Sequence, residues 1–169
     1  MRRRTQASPL LLLLMIGALA LAMIPPASAE AGRADWVPQI EAMDQALQRG
    51  DVPVAQAAWR EAYVAAHVGR GWLGMIAVGD AALRAGRAAG LRDVFEPRAR
   101  RAYLTALLRA RRQGSLDGVL AAGDAFGRLG DQAVVRRALA VATDLAARSG
   151  DGEARQRVQA FRSHWAPLT

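Results

Sequence analysis

The chain predicts an all-α protein of short, paired helices, and three observations carry that expectation. Alanine and leucine dominate a composition that is 52% hydrophobic but only 5% aromatic, which leans helical by propensity. Apolar residues recur at the 3.6-residue period rather than in the alternation of strands. Glycine, often followed by aspartate, interrupts these segments, a pairing that ends one helix and caps the next.

Element by element, Trp36, Ile40, Met43 and Leu47 fall on one face of a first helix that Gly50-Asp51 stops. Pro53 opens the second, where its missing N–H costs nothing. That helix presents Ala55, Ala58, Trp59, Ala62, Tyr63 and Ala66, and Gly69 and Gly71 break it. A third helix is expected from Trp72 to about Ala85, followed by a connector over 86–96 with one helical turn at Leu91 to Phe95. Pro97 is expected to begin a fourth helix that reaches Arg112. Gly114 ends it and Ser115 caps the fifth, over 116–129. Gly130-Asp131 repeats the device ahead of a sixth helix at 132–149, with Val134, Val135, Ala138, Leu139, Ala142 and Leu145 on one face. Gly150 ends that helix, Asp151 caps the seventh, and Val158, Phe161 and Trp165 form its apolar side.

Ahead of these helices lies a segment of different character. Arg2, Arg3 and Arg4 precede an apolar run from Leu10 to Ile24, followed by Pro25, Pro26 and Ala27-Ser28-Ala29. A basic start, an apolar middle too short to span a bilayer and small residues before a cut describe a secretory signal peptide over 1–29. Residues 30–35 read as a short lead into a domain at 36–166. An uncleaved anchor is the alternative. Thr5 and Gln6 stand where a twin-arginine signal has apolar residues, so general secretion is expected. All 23 basic residues are arginine, which together with the alanine and glycine content suggests a GC-rich bacterial genome and a periplasmic or secreted destination. There is no cysteine, so neither disulfides nor a lipid-anchor cysteine nor thiolate metal ligands are expected. Removing Arg2, Arg3 and Arg4 from the 23 basic residues leaves 20 against 15 acids, a charge near +5 that favours acidic partners without naming one.

Internal similarity organises the domain. Val78-Gly79-Asp80-Ala81 recurs as Ala122-Gly123-Asp124-Ala125, 44 residues on, and Arg100-Arg101-Ala102 recurs as Arg136-Arg137-Ala138, 36 residues on. The difference implies an eight-residue insertion in the middle helix pair, expected in the 86–96 connector. Gly79 and Gly123 sit inside helices, where close packing of a neighbour compensates their low propensity.

With Gly123, Phe126, Gly130 and Asp131 at the small, aromatic, turn-glycine and following polar positions, and Gly50-Asp51, Ala58 and Tyr63 in a similar arrangement, the chain resembles the tetratricopeptide repeat (TPR) superfamily. The resemblance covers about 36–150. The pattern is degenerate: the first repeat lacks a glycine in its leading helix, and no repeat ends in the usual proline. What it implies is an α-α superhelix of about three TPR-like helix pairs with a concave groove, closed by a C-terminal capping helix over 151–165.

Catalytic chemistry is not expected. His67 and His164 lie on different helices without a second ligand at metal spacing, so no metal and no cofactor are expected. No serine stands in a nucleophile elbow, and Gly69-Arg70-Gly71 lacks the rest of a phosphate loop. Asp80 and Asp124 are equivalent by repeat, one repeat apart and too distant for shared acid–base work, with arginines as their expected partners.

The asymmetric feature is the helix after Pro97, which carries six arginines between 98 and 112 and no acid. At about 100° per residue, Arg98, Arg101, Arg109 and Arg112 share an arc of roughly 80° beside a core face of Ala99, Ala102, Tyr103, Ala106, Leu107 and Ala110. Guanidinium rows suit carboxylates and phosphates. These four arginines, with Trp72 as an aromatic anchor between glycines, form the candidate binding set, the alternative being a solvated face with some Arg–Asp contacts to neighbouring helices and a core Trp72. The expected function is an exported protein–protein interaction module, a scaffold or assembly factor for an envelope enzyme or complex, binding an acidic protein or peptide segment. A peripheral protein on an anionic membrane surface or polyanion is the first alternative and a small helical enzyme the second. Nucleic acid is not an expected partner, and no small-molecule substrate is indicated.

Overall fold

The structure is a computed structural model that describes residues 36–165. The signal peptide, its cut after Ala29 and the lead at 30–35 lie outside the described residues. Seven helices follow one another: α1 (Val37–Gln48), α2 (Val52–Val68), α3 (Trp72–Ala88), α4 (Arg92–Arg112), α5 (Leu116–Arg128), α6 (Gln132–Ser149) and α7 (Gly152–Trp165). Among the described residues there is no strand, and no helix is long and apolar enough to cross a membrane.

Most of the expected boundary chemistry is in place, though Asp131 stands at the N-cap of α6 without a side-chain cap bond. Asp51 accepts a hydrogen bond from the Val54 N–H at 3.1 Å, Ser115 from Gly118 at 3.1 Å and Asp151 from Glu153 at 2.9 Å. Gly50, Gly90, Gly114, Gly130 and Gly150 all take positive φ at helix ends. Four of these turns also carry the bond that closes a Schellman motif, from Asp51 N–H to Ala46 O, Leu91 to Gly86, Ser115 to Ala110 and Asp131 to Phe126.

One expectation is corrected. The 86–96 stretch is not a connector, and the fourth helix does not begin at Pro97. α3 continues to Ala88 and α4 starts at Arg92, so Pro97 lies inside the helix. The eight extra residues are divided between the two helices. α3 has 17 residues against 13 in α5, and α4 has 21 against 17 in α2. About 3.6 residues make a turn, so each helix gains roughly one turn and keeps its buried face in phase. Gly86 therefore stands in the helix 44 residues before the turn glycine Gly130, and a Cβ there would lie 2.9 Å from that of Phe95, which fills the added interface. Pro97 forgoes one hydrogen bond in the second turn, beside Phe95 and Ala99, both fully buried.

Each helix packs on the next, and alternate helices also touch: α1 on α3, α3 on α5, α5 on α7. Small residues make this possible. Ala62, Ala66, Ala102, Ala106, Ala122, Ala138 and Ala142 fill much of the core between larger wedges such as Tyr103, Phe95, Met43 and Met75. Gly79 lies directly beneath the Tyr103 ring and Gly123 beneath Phe161 and Ala138, the close packing expected of these glycines. Two devices recur along the α1–α3–α5–α7 series. Trp36 covers Gly74 and Trp72 covers Gly118, so that a Cβ at either glycine would fall within 2.9 Å or 2.7 Å of an indole atom. Farther along, Arg84 of α3 pairs with Asp44 of α1 at 3.1 Å, Arg128 of α5 with Asp80 of α3 at 3.4 Å, and Arg157 of α7 with Asp117 of α5. These exposed pairs are each worth about 0–1 kcal/mol, so they fix register more than they stabilise.

Candidate anion-binding face and cleft

The α4 helix places its arginines in four different environments. Arg98 is half-buried, its guanidinium carbon 4.9 Å from the Phe95 ring centre and 5.4 Å from that of Trp59, a cation–π arrangement that also positions α4 on α2. Arg100 reaches the α5–α6 turn, where it donates to Asp131 at 2.7 Å, to Glu96 at 2.7 Å and to the Leu129 carbonyl at 3.5 Å. Its pKa rises, first through the Asp131 hydrogen bond. Arg101, Arg111 and Arg112 are exposed. None of these three makes an ion pair among the described residues.

Arg109 is only 7% exposed. It crosses to the far end of α2 and donates to the carbonyls of Ala66 and Gly71 at 3.0 Å each and of His67 at 2.8 Å. These carbonyls need a partner because the α2–α3 junction lacks the glycine turn and Schellman bond used elsewhere. Gly69 is still helical, Arg70 takes φ +54°, and Gly71 is extended. Arg109 therefore caps the C-terminus of α2 from another helix, and a cation there also suits the helix dipole. Burial lowers its pKa, followed by repulsion from Arg112 and Arg70. Gln113 donates to the Arg70 carbonyl at 3.2 Å, holding the strained residue in place.

The result is an open cleft of about 660 Å³ lined by His67, Val68, Arg70, Arg109, Arg112 and Gln113. It contains three guanidiniums and no carboxylate. Val68, 72% exposed, stands at its rim, and Leu104 and Leu108, 47% and 49% exposed, lie on the outer face of α4 with Arg101 and Arg112.

Of the residues expected to bind, the structure brings Arg109 and Arg112 together in the cleft, leaves Arg101 on the adjoining surface, and places Arg98 against aromatic rings nearer the start of α4. Trp72 is half-buried across Gly118 and packs with the core. Sequence reasoning missed Arg70, His67 and Gln113 as members of the site. Gly69-Arg70-Gly71 held the available signal, since every other junction has its positive-φ residue as glycine. Asp80 and Asp124 both contact Arg128, and Tyr103 Oη donates to Asp80 at 2.7 Å. The expected arginine partner is thus present, and one guanidinium serves both carboxylates. Among the described residues no group of three His, Cys, Asp or Glu side chains is placed to hold a metal.

No protein-family model matches the chain, and no curated protein or solved structure matches it.

Proposed function

We propose that this chain is an exported TPR-like interaction module, a periplasmic scaffold or assembly factor that works by binding an acidic protein segment rather than by catalysis. The observation that carries this reading is the cleft at the ends of α2 and α4, whose lining gathers Arg70, Arg109 and Arg112 without a carboxylate. The exposed Arg101 and Arg111 on α4 also lack ion pairs among the described residues, as do Arg49, Arg60, Arg136 and Arg137 elsewhere. Uncompensated positive charge steers an oppositely charged partner. The recurring contacts between alternate helices support the stacked arrangement that the TPR resemblance implies.

A pull-down from envelope extract tests the reading, with the Arg101→Glu plus Arg112→Glu variant as control. A partner whose capture weakens with salt and is lost in the variant supports it, while equal capture by both proteins removes the α4 face from the account. N-terminal sequencing of the exported protein tests the signal peptide, with Glu30 as the expected first residue. Leu104 and Leu108 between exposed arginines favour a second reading, attachment to an anionic membrane surface. Co-sedimentation with anionic but not neutral vesicles would select it.

A further inference from the structure

We infer that the cleft between the C-terminal ends of α2 and α4 is a carboxylate-binding site, in which Arg70 and Arg112 grip acidic side chains of an extended protein segment above the fixed guanidinium of Arg109. This deepens the proposed function and rests on it.

Three independent features converge on the cleft. Its charge is uncompensated, because Arg109 spends its hydrogen bonds on neutral carbonyls and so keeps its full charge beside two further arginines. Like charges gathered without an acid repel, and a bound anion relieves that repulsion. Arg70 also holds a backbone conformation that glycine adopts without strain, at the one junction where glycine is available on both sides but not used. Strain of this kind persists where the side chain is needed. The arrangement, finally, fits the ligand class. Arg70 and Arg112 are exposed and free to close on a ligand, while Arg109 lies nearly covered and fixed beside them. Planar guanidinium forks match carboxylates in bidentate geometry.

Calorimetric titration of the purified protein with a hexaglutamate peptide, with inorganic phosphate and with phosphatidylglycerol vesicles tests the assignment. Hexaglutamate is expected to bind, and Arg112→Gln and Arg70→Gly are each expected to weaken it about tenfold. Arg70→Gly is also expected to raise the melting temperature of the unliganded protein by about 2–4 °C, because strain and repulsion both fall, which separates lost binding from lost folding. Unchanged hexaglutamate affinity in both variants overturns the site. If Arg101→Glu alone abolishes binding, the cleft assignment fails while the α4 face stands. If hexaglutamate binds neither wild type nor any variant, both fall. Phosphate that binds as tightly as hexaglutamate, or vesicles that displace it, overturns the acidic segment as ligand.

Discussion

Arg100 and Arg109 stand on the same helix and each reaches a turn between two other helices, yet they end in opposite electrostatic states. At the α5–α6 turn the backbone already satisfies itself through Gly130 and the Asp131 to Phe126 bond, and Arg100 adds ion pairs to Asp131 and Glu96. Its charge is cancelled where it stands. At the α2–α3 turn the backbone leaves carbonyls open, Arg109 fills them, and no acid follows. The first turn is closed structurally and electrically. The second is closed structurally only, and its charge stays unbalanced.

The largest expected effect comes from Arg109→Leu. It leaves three carbonyls without a donor, one of those bonds being buried, and should lower unfolding free energy by about 3 kcal/mol in denaturant titration. A loss below about 1 kcal/mol would show that water replaces the guanidinium and that the two turns are equivalent after all. Gly130→Arg transplants the α2–α3 backbone chemistry to the other turn, where it gains no compensating interaction. A loss of about 1 kcal/mol is expected, and no loss would show that positive φ carries no strain here. Arg100→Leu removes half-exposed ion pairs and should cost about 1 kcal/mol at low salt, shrinking as salt is added. A salt-independent loss would point instead to the Leu129 carbonyl bond.

The smallest expected effect lies away from both turns. Tyr103 is fully buried against Asp80, so burial first, and then the Asp80 hydrogen bond, push its hydroxyl above its ordinary value of 10.0. A raised folded value means that its contribution is complete below pH 10 and is lost as pH climbs beyond it. Tyr103→Phe should therefore cost about 0.5 kcal/mol at pH 7 and flatten the alkaline fall in stability. An unaltered alkaline limb would assign that fall to other groups.

Helix positions were legible where period, glycine stop and Asp or Ser cap agree; Asp51, Ser115 and Asp151 cap where expected, while Asp131 stands at the N-cap of α6 without a side-chain cap bond. The α3–α4 region misled because Gly86 and Pro97 read locally as breakers along with the true turn glycine Gly90, while the interface that overrides the first two, Phe95 against Gly86, forms only when the two helices meet. For the candidate site, sequence located the arginine-rich helix but not the fate of each guanidinium. Arg109 bonds residues some forty positions earlier, and Arg98 lies against Trp59, distances along the chain that helical phase alone does not reveal. Gly69-Arg70-Gly71 reads in sequence only as an incomplete phosphate loop, because a single arginine between glycines carries no periodic signal.

Chains built by stacking neighbours tend to open from their ends, since each unit leans only on the next. The Arg109 clamp reinforces one such junction, bonding from α4 to the end of α2 and the start of α3. The first two helix pairs should therefore fray together or not at all, with α6 and α7 the earlier segment to exchange amide hydrogens. Whatever seats itself over the clamp would be held by the more rigid half of the molecule.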